Sequence, residues 1–200
     1  MPTKLNEREY RSMTMTAADE TTVRGYATTF DDPYVLYEDR DIVLREIIDH
    51  DALRDADLSD VIMQYDHNGR VFARVSNGTL TITPDAHGLA VEANLGGTSL
   101  GRGLFEEIKG GYTTKMSWGF IVDADEWTSE GAPDGRSLET RTIKRVKKVF
   151  DVSAVSLPAN DATEISARSL ADGAIERLKA ERLKELEIRK RKMLLEDWLK

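Results

Sequence analysis

Ser117, His67 and Asp151 are the residues whose types and surroundings could do chemistry together. Each interrupts a run that otherwise reads as an apolar strand. Ser117 stands between Met116 and Trp118, His67 follows Val61-Ile62-Met63 and opens the turn Asn68-Gly69-Arg70, and Asp151 divides Val149-Phe150 from Val152. A hydroxyl inside an apolar strand needs a hydrogen-bond partner, and a buried carboxylate needs a donor. A serine hydrolase uses such a set: the imidazole accepts the hydroxyl proton, and the acid holds the imidazole in its productive tautomer. Spacing leaves two accounts open at each position. Ser117 is a nucleophile or a hydroxyl satisfied by backbone; His67 is a base at a cleft or an ordinary turn residue; the donor to Asp151 is His67 or an arginine.

The remaining chemistry-bearing residues narrow the field. The chain has three histidines and no cysteine, so disulfides, thiolate zinc sites and cysteine nucleophiles are excluded. His50 lies between Asp49 and Asp51, His87 lies in a turn, and both read as solvated surface residues. Three scattered histidines give no zinc spacing. Gly96-Gly97 and Gly101-Arg102-Gly103 lack the Lys-Ser/Thr ending of a phosphate loop. Asp31-Asp32 and Asp39-Arg40-Asp41 read as solvated acidic loops. No metal and no cofactor is expected.

Two hundred residues, 40% of them apolar, suffice for one domain with a core, or for one domain with an appendage. Thirty-six acidic residues against 28 Lys and Arg give a net charge of −8, which argues against a nucleic-acid binder. The longest apolar run, Tyr34-Val35-Leu36-Tyr37, is far short of the roughly 20 residues of a membrane span. The polar start lacks the apolar stretch of a signal peptide. A soluble, cytoplasm-like setting is expected.

Strands must position these groups. β-branched and aromatic enrichment predicts strands over 22–30, 42–48, 60–65, 71–75, 79–83, 89–95 and 115–122, and one long bent strand or two over 140–156. Asn77-Gly78 reads as a hairpin turn. Helices are expected over 49–57 and 98–109, the latter capped by Thr98 or Ser99 with a stripe of Leu100, Leu104, Phe105 and Ile108. Residues 123–137 read as a polar loop and 1–20 as a flexible N-terminal tail. From Asp172 onward there are nine Lys/Arg and seven Asp/Glu among helix formers, with Glu185/Arg189 and Glu187/Arg191 at the i,i+4 spacing. A charged amphipathic helix is expected over 166–200.

Several ordered segments resemble the prohead maturation proteases of tailed phages, the HK97-type serine peptidases. These are Gly25-Tyr26-Ala27 with Phe30, Tyr65-Asp66-His67-Asn68 with Gly69-Arg70, Gly78-Thr79-Leu80 with Asp85 and Gly88-Leu89, Met116-Ser117-Trp118-Gly119-Phe120, and Asp151-Val152-Ser153 with Pro158-Ala159-Asn160. The resemblance runs from about Val23 to Ala162. It implies a mainly β fold with peripheral helices, a herpesvirus-protease-like β-barrel over 21–165 followed by the long C-terminal helix. It implies Ser117 as nucleophile, His67 as general base and Asp151 as third member, where the family more often has Glu. Backbone N–H groups near Ala159 and Asn160 are the implied oxyanion donors. The implied substrates are the scaffold portion of the major capsid protein and the protease itself, inside the assembling prohead in the host cytoplasm, with no nucleic-acid or membrane partner. The resemblance leaves a homodimer open. The rival readings are a catalytically inactive scaffold protein of the same fold and a small-ligand-binding barrel.

Overall fold

The computed structural model describes residues 9–156, together with residues 176, 177, 179–181, 183, 184, 187 and 188. In chain order the strands are β1 (Glu9–Ala17), β2 (Thr22–Thr29), β3 (Tyr34–Glu38), β4 (Ile42–Ile48), β5 (Ile62–Tyr65), β6 (Asn68–Arg74), β7 (Leu80–Pro84) and β8 (Gly88–Asn94). Helix α1 (Ser99–Lys109) follows, then β9 (Lys115–Gly131) and β10 (Ser137–Val155). The described fold is mainly β.

β10 organises the sheet. It pairs antiparallel with β9 along its whole length, parallel with β4 through its first half, and parallel with β5 from Asp151 to Ala154. The path runs β3-β4-β10-β9-β1-β2-β8-β7, with β5 and β6 branching from β10. Among the described residues both ends of that path are edges, so the sheet is open and branched, and the closed form of the expected barrel is not seen. The seam lies where Asn77-Gly78 was expected to join a hairpin. Val75–Asn77 is instead a 3₁₀ turn with Gly78 at φ 73°, and its flanking strands go to different partners, β6 to β5 and β7 to β8.

Three further expectations are corrected. Residues 9–17 are not a tail but a central strand between β9 and β2. Buried Arg11 and Met15 alternate with exposed Thr14 and Thr16, and the buried arginine hides the period-two pattern that would mark a strand. The expected 123–137 loop is the far half of β9 plus the turn Ala132–Arg136. Its polarity reflects a mostly exposed arm, laced by ion pairs of Arg145 with Asp123 and of Arg141 with Asp125. Residues 49–57 form successive turns rather than a helix, with Ala52 donating to the Asp49 carbonyl and Arg54 to that of Asp51.

α1 matches its expected span. Thr98 Oγ1 accepts from Gly101 N at 2.9 Å, which satisfies one N–H of the first turn. Leu104, Phe105 and Ile108 are buried, whereas Leu100 is half exposed. Gly101 is required because a Cβ there would lie 2.3 Å from the Leu95 carbonyl oxygen. One core cluster gathers Met116, Trp118, Phe120 and Val122 of β9 with Val146, Val149, Val152 and Ala154 of β10 and the buried face of α1.

No long C-terminal helix is described. The described positions from 176 to 188 are helical and exposed, and Lys179 Nζ meets Asp39 at 3.0 Å beside the Tyr37 ring. The rest of 166–200 lies outside the described residues.

Candidate active site

β9 presents Ser117, β10 presents Asp151, and the β5–β6 turn presents His67. Ser117 pairs across the ladder with Ser153, and Asp151 pairs with Gly119. Side chains two apart on a strand share a face, so Asp151 and Ser153 project to the side on which Ser117 lies. β5 runs on the other flank of β10, with Ile62 beside Asp151 and Tyr65 beside Ala154. That alignment carries the following turn back over β10.

Asp66 and His67 occupy the left-handed region at φ 47° and 55°, inside a two-residue loop closed by the Tyr65–Asn68 pair. Such a loop requires positive φ at both central residues, and Asp and His tolerate it better than β-branched residues do. Asp66 also ties the turn down. Its N–H donates to the Ala154 carbonyl at 2.9 Å, and its Oδ1 accepts from Ser156 N at 2.9 Å and from the Ser156 hydroxyl at 3.1 Å.

The turn delivers the imidazole between the other two groups. His67 Nδ1 lies 2.5 Å from Asp151 Oδ1, and His67 Nε2 lies 2.7 Å from Ser117 Oγ. A carboxylate only accepts, so this geometry suits the tautomer in which Nδ1 donates to Asp151 and Nε2 accepts from the Ser117 hydroxyl. Ser117 and Asp151 are buried and the His67 side chain is only 9% exposed. Charge that develops here is therefore poorly screened by water. The three residues singled out by their strand contexts are thus brought together, the imidazole in the middle.

The other histidines are elsewhere. His50 is exposed, with Nδ1 3.1 Å from Asp31 Oδ2. His87 packs edge-on against Tyr26, ring centroids 4.5 Å apart. Asp31, Asp49 and His50 lie close enough to share a cation, but Lys144 already pairs with Asp49. Ala159 and Asn160 fall outside the described residues.

Two contributors escaped the sequence reading. Ser153 donates to Asp151 Oδ1 at 2.8 Å, and the Asp-x-Ser spacing on one strand face was its signal. Asp66 clamps the histidine turn, and an acid directly before His67 was the signal there.

A second buried network links β1, β4, β9 and β10. Arg11 grips Glu46 through two bonds of 2.6 and 2.7 Å, and Arg141 reaches Glu46 at 3.0 Å and Asp125 at 2.6 Å. Tyr34 also donates to Glu46. Burial pushes the Glu46 carboxyl up, but the two guanidinium groups outweigh it and hold it below its ordinary range. Burial and then Glu46 push the Tyr34 phenol well above its own. Arg11 lies over Phe120, which stacks on Trp118 at 3.9 Å. The network thereby fastens β1 to the strand that carries Ser117.

Carboxylate, imidazole and hydroxyl linked in that order is the arrangement serine hydrolases use to activate a nucleophile. A family model described as caudovirus prohead serine protease matches residues 6–176, and the chain belongs to that family of capsid-maturation serine peptidases, which act in the assembling phage capsid within the host cell. No curated protein and no solved structure matches the chain. Among the described residues no helix is long and apolar enough to cross a membrane.

Proposed function

We propose that this chain is an endopeptidase that removes the scaffold portion of the major capsid protein and shortens itself during prohead maturation, with Ser117 as nucleophile. The observation that carries this reading is the unbroken chain of contacts from Asp151 through His67 to Ser117. Ser117 is fully buried, so whatever covers it must part before a peptide enters. His67 Nε2 then takes the hydroxyl proton as Oγ attacks the scissile carbonyl. The imidazolium, paired with Asp151, returns that proton to the leaving amine. Water, deprotonated by His67, attacks the acyl-enzyme and restores Ser117. By family likeness, the backbone N–H groups of Ala159 and Asn160 hold the oxyanion, a contribution worth about 10²–10³ in turnover.

Aspartate in place of the usual glutamate also fits a catalytically inactive scaffold of the same fold. The short His67–Asp151 contact favours the active reading, because the shorter side chain still meets the imidazole. The test is co-expression with the capsid protein, and incubation of the purified chain, each followed by mass spectrometry. Both substrates should shorten with the native chain and stay intact with Ser117→Ala. Equal shortening by Ser117→Ala would overturn the assignment. The charged stretch 170–200 would hold the protease to scaffold or shell; deleting it should abolish incorporation into proheads, and unchanged incorporation would contradict that role.

A further inference from the structure

We propose that Ser153 is a positioning residue for the peptidase reaction, acting through Asp151; the inference rests on Ser117 being the nucleophile. Its hydroxyl donates to Asp151 Oδ1 at 2.8 Å, and that same oxygen lies 2.5 Å from His67 Nδ1. One carboxylate oxygen thus serves both the imidazole and a second donor. Ser153 is fully buried and stands in the run Val152-Ser153-Ala154-Val155. A hydroxyl there must find an acceptor, and Asp151, on the same strand face two residues earlier, provides it.

The geometry fixes what this contact does. An aspartate carboxylate swings about two side-chain bonds, and its terminal torsion is broad rather than sharply staggered. A donor from its own strand removes that freedom and keeps Oδ1 aimed at Nδ1. The imidazole is held in turn, with Nε2 toward the hydroxyl that it must deprotonate. Ser153 faces Ser117 across the ladder, so the residue that steadies the acid and the residue that attacks are set by one register. Hydrogen bonds to charged acceptors are among the stronger ones, which gives this contact the strength to set a rotamer.

A merely structural serine would support the strand whether or not Asp151 is present; a positioning serine acts only through it. The test is therefore a double-mutant cycle on the full-length chain, read as the rate at which a fluorophosphonate labels the nucleophile. Ser153→Ala should slow labelling about tenfold in the native background, a loss of ~1.4 kcal/mol. In an Asp151→Ala background it should change the rate less than about twofold. Ser153→Cys keeps the shape at a slightly larger volume and offers a weaker donor, so its rate should fall between the two. If Ser153→Ala does not fold, the comparison uses Ser153→Cys in both backgrounds. Equal losses with and without Asp151, or no loss in the native background, would overturn the proposal. Ser117→Ala is the separate control: labelling that survives it sinks the nucleophile assignment, whereas its disappearance leaves the Ser153 result to be judged alone.

Discussion

Asp151 stands directly across the β9–β10 ladder from Gly119. Cross-strand neighbours place their Cβ atoms about 4.5–5.5 Å apart, so a side chain at 119 would enter the space beside the Asp151 carboxylate and the His67 ring that it holds. Gly119→Val should keep the sheet, because valine suits a strand. It should nevertheless lower the rate of self-shortening by about 10²-fold, the size of a small misplacement of catalytic groups. Circular dichroism would check the fold and mass spectrometry the cleavage; native-rate cleavage would show that the bare face at 119 is not needed.

The histidine turn makes a second prediction. Asp66 holds it to Ser156 from a left-handed backbone position. Asp66→Ala removes the acceptor of both Ser156 bonds and should lower kcat by about tenfold, with a modest loss of stability of about 1–3 kcal/mol. Asp66→Asn retains an acceptor oxygen and tolerates the backbone, so it should recover most of the rate. Equal rates for the two variants would contradict the clamp.

The Arg11–Glu46–Arg141 network sets a third. Arg11→Ala leaves Glu46 buried with part of its compensation gone and should destabilise the chain by about 3–5 kcal/mol in urea unfolding. The network also predicts acid sensitivity. The folded carboxyl of Glu46 lies below its ordinary value of 4.5, so its stabilisation is complete above that value and is lost as pH falls through the folded one. Glu46→Gln should flatten the dependence of stability on pH below about 4.5; an unchanged slope would contradict this.

Polar groups inside apolar strands drew Ser117, His67 and Asp151 together in the sequence, and the structure brings these three side chains into contact; the roles came from the resemblance. The sequence also made most of the strands and α1 legible, since their inward positions are apolar. β1 was not legible: an arginine takes one of its inward positions, and its partner Glu46 lies 35 residues away. The outer half of β9 was hidden for the opposite reason, since exposure leaves no apolar face to repeat. Sheet closure was not legible either, because pairing between distant strands depends on the turn at Val75–Asn77 rather than on any local pattern.

β1 itself supports a fourth prediction. It sits between β9 and β2 in the sheet path and joins the half bearing Ser117 to the half built from β2, β8 and β7. Deleting residues 1–17 should abolish the cooperative unfolding transition. A deleted chain that melts cooperatively near the native temperature would contradict the placement of β1.

Peptide mapping after reaction with a fluorophosphonate tests the central claim most directly. A single adduct on Ser117 is expected, formed by the native chain and lost or slowed at least 10³-fold in His67→Ala, as removal of a base acting on the attacking hydroxyl requires. An adduct on another residue, or equal labelling of Ser117 without His67, would contradict the account.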